Sequence, residues 1–264
     1  MTLAQAATAG GRAAATPAAQ RVLLVVSILL IWWAGSLSAP PYILPGPEAV
    51  GAAILRLAGT PSFFQDIGAT LGRVGAGFAI ALVLGVPLGI LCGANRAVGG
   101  FFEPLLPVLN TVSSAIWAIF ALLWFGLSDM ATIFVVLMTA LPLIVTNVWQ
   151  GTRNVSPELV EVALSLRFRR AAVLAKIYLP AILPYMFSGA RLAFGFGWRV
   201  SLVAETLGAS SGIGYRLRQA ADLFQADQVF AWTVVVISLM TLIEVGLFRP
   251  VERRLFRWQK ARSL

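Results

Sequence analysis

The chain has 264 residues, of which 59% are hydrophobic and 12% charged, with a mean hydropathy of +0.85. Soluble domains carry ~25% charged residues, so a soluble globular fold is excluded. The 20 Lys and Arg against 11 Asp and Glu give +9; on a soluble chain this excess would point to nucleic acid, but here it is read first as membrane topology. Histidine is absent and Cys92 is the single cysteine, which removes the usual metal ligands, the commonest general base and any intrachain disulfide. Catalysis by this chain alone is not expected.

The apolar residues gather into blocks of about 20, the length that crosses a ~30 Å hydrocarbon core as α-helix. The ~10-residue alternating segments of a β-barrel are missing. The predicted class is therefore an all-α polytopic membrane protein with six transmembrane helices. Residues 1–20, rich in Ala, Thr and Gly, read as a disordered tail. The first span is predicted at 22–38, with Trp32 and Trp33 suited to an interfacial belt, and is read as a retained span rather than a cleaved signal peptide. The next stretch opens with APPYILPGPE, whose prolines forbid a regular helix at its start.

A second span is predicted at 67–94. Along it Gly77, Ala81, Gly85, Gly89 and Gly93 recur every four residues, a ridge that lets another helix approach closely, and Pro87 should bend it or free a carbonyl. Spans three and four, 104–126 and 131–150, are joined by LSDM and form an antiparallel hairpin. A polar segment, 151–180, must lie outside the hydrocarbon; Ser156, Pro157 and Glu158 mark a helix start there. On that helix Leu159, Val162, Ala163 and Leu166 form an apolar stripe, suited to lying on a bilayer or to docking into another protein. Spans five and six follow at 182–205 and 228–248, separated by a polar loop, and residues 249–264 form a basic tail.

With six spans both termini share one side. If that side is cytoplasmic, the inner segments hold Arg12, Arg21, Arg96, the basic residues of 151–180 and those of the tail, while the outer segments hold only Arg56, Arg216 and Arg218. The positive-inside rule thus predicts cytoplasmic N and C termini, with the net charge serving as an anchor to anionic lipid.

Charges inside spans are costly and so are functional candidates. In span five, Arg191, Gly195, Trp198, Leu202 and Glu205 lie within about 40° of one helical direction and Arg199 some 80° away. Two readings stay open: this face lines a translocation pathway for a small anion, or the arginines pair with Glu244 or with helix carbonyls. Ser113, Ser114 and Trp117 on span three are further pathway candidates, with packing as the alternative for Trp117. GASSGIGYRL in the last outer loop is too rich in glycine and serine for a helix before Tyr215.

The segment 156–180 resembles the signature loop of permease subunits of binding-protein-dependent ABC importers: EAA, three residues, Gly, nine residues, then I-x-LP. Glu161, Val162 and Ala163 and then Ile177, Leu179 and Pro180 stand at the expected distances, whereas Arg167 occupies the place of the glycine. ILPGPEAV, LGRVGAGFAIALVLGVPLG, LLWFGLSD and AETLGASSGIGYRL look like the nitrate, sulfonate and taurine subfamily. The resemblance implies a type I importer permease fold in a bacterial cytoplasmic membrane, whose function is to pass a small anion or polar organic solute. It implies that Glu161 to Leu166 form a coupling helix seated on a partner ATPase, and that Arg167 needs a helical or otherwise unstrained conformation. The partners implied are two copies of an ABC ATPase holding ATP and Mg, a second permease copy in a homodimer, and a substrate-binding protein met by the loop of Gly208, Ser210, Ser211, Gly212, Gly214 and Tyr215. No phosphate-binding loop accompanies Lys176 or Lys260, the only lysines, so the ATPase is expected on another polypeptide. The readings weighed against this are a secondary transporter or channel working without an ATPase, and an intramembrane enzyme, for which the chain has too few parts.

Overall fold

The computed structural model describes residues 17–256, and within them every regular element is helical. The predicted tail residues 1–16, and 257–264 at the other end, lie outside the described residues. Helix α1 (Pro17–Ser38) begins before the predicted span, within the segment read as disordered. It is followed by α2 (Pro47–Ala58), which starts on the last of these prolines, Pro47, where a missing N–H costs nothing. Helix α3 (Pro61–Ala94) runs unbroken through Pro87.

Where one span was predicted at 104–126 the structure has a break. Helices α4 (Arg96–Phe102), α5 (Leu105–Thr111) and α6 (Ser114–Phe125) carry the chain, and α4–α5 meets α6 at 93°. Ser113 caps α6, its hydroxyl accepting from the Ala115 amide. Helix α7 (Asp129–Arg153) follows, then α8 (Pro157–Ser165) and α9 (Arg170–Val173). A π-helical turn, Leu174–Tyr178, joins α9 to α10 (Leu179–Gly208). Helix α11 (Ile213–Asp222) precedes α12 (Ala226–Ile243), and a second π-turn, Glu244–Phe248, leads into α13 (Arg249–Leu255). Four of these helical stretches are long and apolar enough to cross a membrane, and the bent pair makes five if counted as one span.

The ridge of small residues on α3 lies against α7. Gly77 faces Val136, Gly85 faces Ile144, Gly89 faces Val148 and Gly93 faces Thr152, a constant separation of 59 residues, so the two helices are parallel and in register. A Cβ on Gly89 would come within 2.7 Å of the Val148 Cβ, so only glycine permits this approach. Because α3 and α7 run the same way, α4–α6 must return the chain from one end of the bundle to the other. Helix α10 is antiparallel to α7, with Gly189 against Asn147 and Gly151 against Tyr185. Helix α12 and the π-turn after it pack back along α10 through Phe194, Trp198, Leu239, Met240 and Phe248. Helix α1 touches its own chain mainly near its end, where Trp32 stacks on Phe230 and donates to the Pro45 carbonyl, while Val22 to Leu30 stay largely exposed.

Candidate functional site

The predicted site residues separate into three regions, two at opposite ends of the bundle and one between them. At the end carrying α11, a buried polar cluster joins α3, α7, α10 and the loop after α10. Arg73 (5% exposed) donates to Glu205 (0% exposed) and to the Ser211 carbonyl through Nη1 at 2.8 and 2.7 Å, to Ser211 Oγ through Nη2 at 2.8 Å, and to Asp129 through Nε at 2.8 Å. Glu205 Oε2 accepts from Thr70 Oγ1 and from the Gly214 amide, each at 2.9 Å. Asp66 accepts the Gly212 amide at 2.8 Å and the Arg216 guanidinium at 2.6 Å, and Thr70 Oγ1 accepts the Ile213 amide at 2.9 Å.

The unpaired amides that begin α11 are thus satisfied by side chains of other helices, in place of a local cap. Gly212 has φ +105°, and a Cβ there would meet Arg73 and Glu205 within 2.8 Å; the loop needs glycine for both reasons. Glu205, predicted to line the pathway, is instead enclosed in this cluster. Of the predicted loop contacts, Ser210 is exposed, Ser211 and Tyr215 are half-buried, and Gly208, Gly212 and Gly214 are buried. Helix α11 starts at Ile213, before Tyr215, because its first amides have these partners.

Sequence reasoning missed Asp66, Thr70 and Arg73. Their spacing of four and three places them on one face of α3, and Arg73 is a charge within a predicted span, the signal that singled out Arg191 and Arg199.

In the middle of the bundle the predicted helical face divides. Trp198 is buried against Phe194 and core residues of α3 and α12. Arg191 forms ion pairs with Glu244 and with Glu252, the latter at 3.0 Å, the pairing alternative for this arginine. Arg199 is exposed, lies over the Phe196 ring at 5.6 Å and, among the described residues, has no carboxylate partner. Arg191, Phe196 and Arg199 line one cavity of about 580 Å³. Phe196 also lines a second, of about 430 Å³, together with Ser113, Ser114, Trp117 and Val200. The break between α5 and α6 therefore brings the predicted span-three residues beside α10. Trp117 also packs edge-on against Phe120 and Phe134.

At the opposite end from α11, α8 stands out from the bundle. Ser156 holds the cap position without a side-chain cap bond. Of the predicted stripe only Ala163 is buried; Leu159, Val162 and Leu166 are exposed, as is Glu161. The helix is held by Val160 against the core around Val148, Val155 and Ile182, and Ala163 is buried beneath it. Glu161 also borders a cavity of about 600 Å³ lined by Arg96, Glu103, Arg153 and Tyr178.

Arg167 corrects the sequence expectation: its φ is +58°, in the left-handed region that favours glycine. Phe168 donates to the Ala163 carbonyl at 3.0 Å and Arg167 to that of Leu164 at 2.9 Å, the two bonds of a Schellman ending. The demand for these closures overrides the side chain's preference. Beyond it Ile177 is half-buried, while Leu179 and Pro180 are exposed at the start of α10. Among the described residues no group of His, Cys, Asp and Glu is arranged to hold a metal ion.

A family model for binding-protein-dependent transport system inner membrane components matches residues 85–257. The chain is 30% identical over 219 residues to the putative aliphatic sulfonates transport permease protein SsuC of Bacillus subtilis, covering 83% of this chain and 79% of that protein. It is 29% identical over 223 residues to the taurine transport system permease protein TauC of Escherichia coli, covering 83% and 81%. Among solved structures, a chain of the MetNI methionine ABC transporter in an inward-facing conformation superposes with a TM-score of 0.65 at 18% identity, covering 74% of this chain and 96% of that one, which establishes a shared fold.

Proposed function

The chain belongs to the family of binding-protein-dependent transport system inner membrane components, and from that membership we propose that it forms half of the translocation pathway of an ATP-driven importer. It is a multi-pass membrane transport component. In this reading α1 and the bent α4–α6 unit each cross the bilayer once, giving six spans with both termini in the cytoplasm of a bacterial cell. A second copy completes the pore as a homodimer, and two ATPase subunits bind ATP and Mg.

The observation that carries the proposal is α8. It lies at the end of the bundle where the basic segments collect, and it offers Leu159, Val162 and Leu166 beside Glu161. Apolar side chains exposed outside the hydrocarbon mark a protein contact. Closure of the ATPase dimer around ATP would move α8 and, through the three residues that join it to α7, the bundle. Glu161→Lys is expected to leave membrane insertion intact while separating ATP hydrolysis from uptake; uptake at the wild-type rate by that variant would refute the docking role.

The cargo is a small anion or polar organic solute, of the sulfonate, taurine or nitrate-like kind, delivered by a binding protein to the loop before α11. Support for an anion comes from Arg199, a cation without a carboxylate partner among the described residues and well inside a span, where an isolated Arg costs ~2.5–3.5 kcal/mol on insertion scales. Such a residue belongs against a polar path or another subunit. Arg199→Gln is expected to lower uptake without affecting assembly, and normal uptake would remove the residue from the pathway. Thermal-shift screening of the cognate binding protein would identify the cargo.

A further inference from the structure

The loop between α10 and α11 is more firmly held than a connection requires. Three successive amides, Gly212, Ile213 and Gly214, each donate to a side chain of another helix, and Arg73 takes both the carbonyl and the hydroxyl of Ser211. External loops usually keep their backbone in water and stay mobile. Here the chain buries Asp66, Arg73 and Glu205 to prevent that, although burying charge is unfavourable unless the group is fully paired. Only Ser210, at the tip, remains exposed between Ala209 and Gly214.

We propose that Arg73 is a positioning residue for import: together with Asp66, Thr70 and Glu205 it presets the backbone of residues 211–214, so that the loop meets the binding protein as a preformed surface. This rests on the reading that the loop is the docking face. A preset loop loses little conformational freedom on contact, and preorganisation of this kind appears as affinity. The Arg73–Asp129 pair extends the same hold to the start of α7.

The test uses the complete complex in nanodiscs, with its ATPase and its cognate binding protein, and measures ATP hydrolysis against binding-protein concentration per assembled complex. Arg73→Gln alone leaves Glu205 buried and unpaired, so the informative variant is the double Arg73→Gln/Glu205→Gln, which removes both charges and keeps hydrogen-bonding groups. It is expected to raise the half-saturating concentration about tenfold, the equivalent of ordering roughly one loop residue on docking. Exchange of the 212–214 amides with deuterium should accelerate in parallel. Thr70→Val, near-isosteric and with every charge retained, is expected to give a smaller shift in the same direction.

A lower maximal rate at an unchanged half-saturating concentration, in both variants, would show a purely structural role and overturn the proposal. Ser210→Trp at the exposed tip separates this failure from that of the underlying reading. If Ser210→Trp leaves half-saturation unchanged, the loop is not the docking face and both fall. If it weakens docking while the other two variants do not, only the positioning role of Arg73 falls.

Discussion

At the α11 end of the bundle the amides from Gly212 to Gly214 are held by side chains of α3 and α10, and Arg73 and Glu205 are buried in one another's company. At the α8 end the chain does the reverse. Leu159, Val162 and Leu166 are left uncovered, Ser156 makes no side-chain cap bond, and Arg167 is bent into a left-handed conformation to end a nine-residue helix. The first end is completed by its own chain. The second leaves apolar side chains uncovered by its own chain. The difference is that polar and apolar residues exchange their usual places at the two ends: ions are buried around a loop at one, and leucines are exposed on a short helix at the other.

The largest expected effect tests whether the α11 end is self-sufficient. Glu205→Ala leaves Arg73 without its buried counter-charge, with only the exposed Asp129 still paired to it, and breaking a buried pair costs ~3–5 kcal/mol; thermal unfolding of the purified chain should show it as the most damaging of these changes. Gly89→Leu is next. Forcing a side chain into the contact with Val148 should cost ~1–3 kcal/mol, read from the same unfolding curve, and should act on α3 and α7 irrespective of either end. Arg167→Gly has the opposite sign. Relieving a left-handed non-glycine residue should stabilise the α8 end by ~1 kcal/mol, detectable as slower proteolysis between α8 and α9. The smallest change in stability is expected from Leu159→Ser with Val162→Ser, within ~0.5 kcal/mol because both residues are exposed, while copurification with the ATPase is lost. If that pair destabilises the chain as Glu205→Ala does, the contrast between the two ends collapses.

Much of this was legible from local pattern. The apolar blocks, the four-residue recurrence from Gly77 to Gly93 and the start of α8 at Ser156–Pro157 each depend on neighbours in sequence. The break before α6 was missed because residues 104–126 are apolar on both sides of it; the signal was Ser113, a cap residue followed by helix formers. The buried cluster was missed for a different reason. Asp66 and Gly212 are 146 residues apart, and no local pattern announces that an aspartate will cap a distant helix. Arg167 shows local preference losing outright, since the two hydrogen bonds that close α8 require a conformation that arginine disfavours.

The 59-residue register between α3 and α7 has a mechanical consequence. Gly77, Gly85, Gly89 and Gly93 of α3 each receive one side chain of α7, at intervals of four or eight residues, in the manner of a toothed rack. Neither rod can slide along the other by a fraction of a tooth, because an intermediate offset drives Val148 or Ile144 onto backbone. The smallest permitted slip is four residues, about 6 Å at 1.5 Å per residue. The packing therefore opposes sliding of one helix along the other and leaves shared tilting unopposed. A push on α7 beside α8 would thus be shared with α3 along the contact from Thr152 to Val136.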